Sequence, residues 1–121
     1  MSHDPIAPSF HLFERFGVEL EYMVVDRETL RVRPIVDALL RSIARLPGAE
    51  VEAEEVAGWP DEVALGPISV CNELTAHVLE FKTRAPATTL EGLHADFAAC
   101  VRQLAPVLES HGVMLLPTGM H

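Results

Sequence analysis

The sequence predicts an α+β fold with the element order β-α-β-β-α-β, in which helices cover an antiparallel or mixed sheet. Three observations lead there. The stretch "FGVELEYMVVD", Phe16 to Asp26, alternates with the period of two that a strand imposes on its side chains. Two other stretches repeat apolar residues at helical spacing: Ile35, Leu39, Ile43 and Leu46, then Leu90, Leu93, Phe97, Val101, Leu104 and Leu108. Between and after them, "ISVCNELTAHVLEFKT" and "VMLLP" read as extended chain.

Taken in order, residues 1–15 form a lead-in with little periodicity, and residues 16–121 form one domain. The first strand occupies about 15–26. "DRETL" is a turn into a short extended piece at Arg31–Arg33. Pro34 suits the first turn of a helix, where a missing N–H is harmless, and "LPGAE" stops that helix at Pro47–Gly48. Val51–Val56 alternates weakly as a strand. "AGWPDEVALGP", with its glycines and prolines, reads as a loop or insertion. The long extended run that follows breaks near Thr75–Ala76. Thr88-x-x-Glu91 has the form of a capping box, and the second helix runs to His111 with Gly112 as its stop. Pro106 is predicted to kink that helix or end it early. "VMLLP", 113–117, is the last buried strand.

With 121 residues the chain makes one small domain, and 49% hydrophobic residues permit a real core. A formal net charge of −9 argues against nucleic acid or an anionic membrane as partner. It is compatible with cation binding, although a solvated acidic surface is the commoner cause. No apolar run approaches the roughly 20 residues that span a bilayer. The N-terminus lacks a basic region followed by an apolar stretch, so the expected location is cytoplasmic. Cys71 and Cys100 are too few and too far apart for a zinc framework. Buried, reduced thiols are expected instead.

The first strand poses a chemical question. Glu19 and Glu21 share one face with Gly17, Met23 and Val25, while Val18, Leu20, Tyr22 and Val24 form the other. Neighbouring carboxylates repel, and burial makes that worse unless a cation or several donors compensate. A solvent-facing position is the ordinary explanation. A second acidic pair, Glu73 and Glu80, lies in the later run, with Glu80 flanked by Val78, Leu79 and Phe81. If both strands turn their glutamates to a common point, the carboxylates could surround a hard divalent cation such as Mg²⁺. That requires the strand at 16–26 to lie beside the strand at 77–83, with the carboxylates on one side. Other residues keep plainer readings. His94 and His111 belong to a helix surface, Trp59 anchors a loop, and His11 and His77 have no zinc-site spacing. Lys82 and Arg84 are strand-end charges, Arg84 being able to meet a carboxylate or phosphate.

"FGVELEYMVVD", "NELTAHVLEFKT" and "LLPTGMH", in that order from Phe16 to His121, resemble the glutamate–cysteine ligase family, the second type that includes bacterial carboxylate–amine ligases. The resemblance implies a glutamine-synthetase-like fold whose curved antiparallel sheet carries ATP and divalent metal, Mg²⁺ or Mn²⁺. It implies joining the γ-carboxylate of glutamate to the amine of cysteine, or another amine, through an acyl phosphate. It further implies that Glu19, Glu21 and Glu80 are metal ligands, with Glu73 in the same metal and substrate region. Arg84 and His121 would contact substrate or nucleotide, His121 as the histidine of a G-x-H-P motif. Family members are considerably longer, so the resemblance is to the N-terminal part of such an enzyme. A fragment of that kind is not expected to be a competent ligase, and its open edges favour self-association as a symmetric dimer. The alternative is a non-catalytic module that binds metal or nucleotide, or associates with itself.

Overall fold

The alternation of the N-terminal stretch builds a strand, β1 (Glu19–Asp26), and the Ile35–Leu46 stripe builds helix α1 (Val36–Ile43). Four consecutive strands follow: β2 (Glu50–Val56), β3 (Trp59–Leu65), β4 (Ile68–Asn72) and β5 (Val78–Thr83). Helix α2 (Leu93–Ser110) and strand β6 (Val113–Leu116) complete the order. This computed structural model describes residues 12, 14–56, 58–72 and 75–117. The strands form one antiparallel sheet in the order β2-β3-β4-β5-β1-β6.

The architecture is therefore α+β as expected, but with more strands than β-α-β-β-α-β provides. The main correction falls on "AGWPDEVALGP", which is not a loop. Val63 and Leu65 turn into the core while Glu62 and Ala64 turn away, a period of two that outweighs the breakers. Pro60 is tolerated because the β2–β3 register already shifts around it, so its missing N–H interrupts an irregular ladder. Gly66, at φ +61, turns β3 into β4. The long extended run divides at 75–77, as expected, into β4 and β5.

The helix ends differ in detail. The backbone N–H of Val36 donates to the Ala76 carbonyl at 3.0 Å, so the β4–β5 turn serves the start of α1 in place of a side-chain cap. The capping box does not form. Thr89 Oγ1 accepts the Glu91 N–H at 3.1 Å in a local turn, and α2 begins only after Gly92. Pro106 does not end α2, which continues to Ser110. Its ring is exposed, where water can serve the carbonyl left without an N–H partner. Gly112 stops the helix at φ +66, its N–H donating to the Glu109 carbonyl at 3.0 Å.

Both helices pack on one face of the sheet. Val24, Val63, Val70, Leu79, Phe81 and Val113 meet Leu39, Leu40 and Ile43 of α1 and Phe97, Leu104 and Leu108 of α2 in a single core. Phe81 is fully buried, and Tyr22 meets it edge-on with ring centroids 5.3 Å apart. Full burial of such side chains stabilises the fold by about 1.5–3 kcal/mol each. Of β6 only Val113 is buried, because an edge strand has one neighbour. Val32 bridges Val25, so the extended piece at Arg31–Arg33 forms alongside β1. With the helices on one side, the other sheet face carries Glu19, Glu21, Glu62, Ser69, Glu80 and Lys82 together with buried apolar residues such as Met23, Val25 and Val78.

Candidate functional site

The β1–β5 register sets Glu21 opposite Glu80 and Glu19 opposite Lys82. Directly opposed residues on antiparallel strands share a face. Glu19, Glu21 and Glu80 therefore lie on one side of adjacent strands, away from the helices. The register carries the row further: Glu80 opposes Cys71, and Cys71 opposes Glu62. A second row sets Ala64, Ser69, Lys82 and Glu19 side by side.

Burial grades the row. Glu80 is only 6% exposed, whereas Glu19 and Glu21 are exposed at the side of the site. The Cys71 thiol, also buried, donates to Glu80 Oε1 at 3.8 Å. Burial first, and then the Glu80 charge, push that thiol up to about 12. Lys82 Nζ lies 2.8 Å from Glu62 Oε1, and this hydrogen bond raises the ammonium above its ordinary value. A polar recess of about 370 Å³ opens nearby, lined by Glu52, Glu62, Ser69 and Arg84. Arg84 is engaged by protein acceptors: Glu50 Oε2 and the Gly66 carbonyl, each at 3.2 Å, and Glu52. It ties edge strand β2 to the β3–β4 turn, and a substrate carboxylate would have to compete with these partners. Glu73 and His121 lie outside the described residues.

Among the described residues, no group of three or more His, Cys, Asp or Glu side chains stands close enough to hold a metal ion. The donors that are present suit one mode of binding. Mg²⁺ takes hard oxygen ligands, commonly one or two carboxylates, with phosphates and water completing its octahedron. Glu21 and Glu80 are of that kind and number. Cys71 stays a neutral thiol and so offers no thiolate to a softer metal.

Glu62, Lys82 and Cys71 were not candidates from the sequence. The signal for Glu62 was the Val63/Leu65 alternation, masked by Pro60 and Gly66. For Cys71 and Lys82 it was their parity with Glu80 on neighbouring strands, which needs the register to be read.

The family model of glutamate–cysteine ligase family 2 matches residues 15–121. The chain belongs to glutamate–cysteine ligase family 2. Curated proteins offer no match to it. Membership of glutamate–cysteine ligase family 2 makes this a member of a carboxylate–amine ligase family, and the matched residues include every strand of the sheet and the Glu21–Glu80 pair. Among the described residues, no helix is long and apolar enough to cross a membrane.

Proposed function

We propose that this protein acts in ATP-dependent ligation of the glutamate–cysteine type, with the helix-free sheet face handling the nucleotide and its metal. The observation that carries this reading is Glu21 set directly opposite Glu80, with Glu19 two residues along the same face. The reaction forms an amide between the γ-carboxylate of glutamate and the amine of cysteine or another amino compound, while ATP is cleaved to ADP and phosphate. Mg²⁺ or Mn²⁺, when bound, supplies positive charge that neutralises the phosphates and stabilises the transferring group.

The chain's own residues divide the remaining work. Glu80, buried between β4 and β1, offers a fixed carboxylate, and Glu21 and Glu19 extend the negative surface toward solvent. Lys82, held by Glu62 and two residues from Glu80, places a cation on the same face, where an incoming phosphate or carboxylate would approach. Glu73, Arg84 and His121 complete the proposed set of metal, substrate and nucleotide contacts.

The absence of a three-ligand cluster among the described residues favours a second reading, a module that binds metal and nucleotide without turnover. One experiment separates the two. With the chain joined to the remaining strands of a longer family member, ADP release is measured with Mg²⁺, glutamate and a panel of amino acids including cysteine, alongside Mg·ATP binding. The ligase reading expects ADP release that needs both amino acids and is lost in Glu80→Gln. Binding without release selects the module. Neither binding nor release contradicts both.

A further inference from the structure

On the helix layer, away from the carboxylate face, a groove of about 220 Å³ is lined by Ala38, Arg41, Ser42, Arg45 and His111. No acidic residue lines it, although the chain has 18 acidic residues against 9 basic ones. Arg41 lies in the last turn of α1 and Arg45 in the turn just beyond its C-terminus, and both line the groove. Neither pairs with a carboxylate among the described residues, whereas Arg27, Arg33, Lys82 and Arg84 all do. The wall facing them is the C-terminal end of α2, where His111 Nε2 lies 3.0 Å from Ser42 Oγ. Arg41 is further restrained, its guanidinium carbon 4.3 Å from the centroid of the Trp59 ring.

The ordinary role for cations at helix C-termini is to complement carbonyls left without donors. That need is already largely met here. Backbone N–H groups of Ala44, Arg45 and Leu46 donate to Leu40, Ser42 and Ile43 in α1, and those of His111 and Gly112 donate to Val107 and Glu109 in α2. Two guanidinium groups, a hydroxyl and an imidazole thus converge with no anion of the protein among them. We propose that this groove binds a phosphate-bearing anion. Arg41 and Arg45 supply planar donor forks that match phosphate oxygens, and the hydrogen-bonded Ser42–His111 pair, with one donor used between its members, supplies one more. The open groove and the two helix C-termini make the site weak, in the millimolar range, and sensitive to salt.

Trp59 is the only tryptophan and lies under Arg41, so its fluorescence reports on the groove. The protein is titrated with inorganic phosphate, the free ion, and with ADP, the same group on a larger molecule, against sodium chloride at matched ionic strength. A saturable change beyond the chloride control is expected with one or both probes, and the pattern tells which source carries the ligand. Arg45→Gln, which leaves the Arg41–Trp59 contact in place, is expected to weaken binding at least about tenfold, as loss of one charge-assisted contact does. Glu80→Gln, on the opposite sheet face, is expected to leave the Trp59 response to inorganic phosphate unchanged. That keeps failure of this site distinct from failure of the proposed ligase face. A response equal to chloride, or one that survives in folded Arg45→Gln, overturns the proposal.

Discussion

Glu21 and Glu80 sit opposite each other on neighbouring strands, and like charges in that position destabilise a sheet by about 0.2–1 kcal/mol. Without a divalent cation, Glu21→Gln is therefore predicted to raise the unfolding free energy by an amount of that order in urea titrations. A loss of stability would mean that Glu21 makes a favourable contact which outweighs the repulsion. The buried thiols give a second prediction at this scale. Burial pushes Cys71 up to about 12 and Cys100 up to about 11, from an ordinary 9.0. Because the folded values are raised, the stability they contribute is present in full below pH 9 and is lost as pH rises toward 12. Native protein is expected to resist thiol reagents at pH 8 and to label at both cysteines once unfolded. Rapid labelling of the native state would contradict the burial. Asp26 has the opposite sign: backbone N–H groups of Thr29, then Glu28, hold its carboxyl below 3.8, so its contribution is present above that value and fades in acid.

Among the elements, Pro106 makes the clearest case. It lies within α2 and removes an intrahelical donor, yet the helix continues to Ser110 because the ring is exposed and the opposite face is packed in the core. An interior proline is about 3 kcal/mol less favourable than alanine. Pro106→Ala is accordingly predicted to raise the melting temperature, by up to that equivalent, and a lowered one would show that the helix geometry depends on the proline. The same elements show how far the sequence could be read. β1 and both helices were legible because each has a sustained period. β3 was not, since Pro60 and Gly66 signal a loop locally while the packing of Val63 and Leu65 decides a strand. The capping box failed for a related reason: Gly92, at φ +82, places the helix start after it. For the candidate site, the acidic residues could be named from the sequence and their shared face could not be fixed. The opposition of Glu21 to Glu80 depends on strand pairing between distant segments, as does the Glu62–Lys82 bridge beside it.

For the whole molecule, the sheet order exposes two edges, and they are not equivalent. β2 carries Glu50, Glu52 and Glu54, and charges on an edge discourage pairing. β6 carries Met114, Leu115 and Leu116, half-buried and uncharged, and offers an open row of backbone groups. Association is predicted to run through β6, as an antiparallel pair about a two-fold axis. Light scattering should then give a dimer that Leu116→Lys converts to monomer; a monomeric parent would contradict this. On the opposite side of β1 from β6 lies the row on which the functional proposal rests, and the most direct test is Mn²⁺ binding in the presence of ATP, followed by electron paramagnetic resonance. Bound Mn²⁺ loses the sharp signal of the free ion. The parent protein is predicted to reduce that signal saturably beyond ATP alone, and folded Glu80→Gln is predicted to lose the effect. An identical signal with and without protein, or equal binding by parent and Glu80→Gln, would contradict the assignment of the Glu21–Glu80 face to metal and nucleotide.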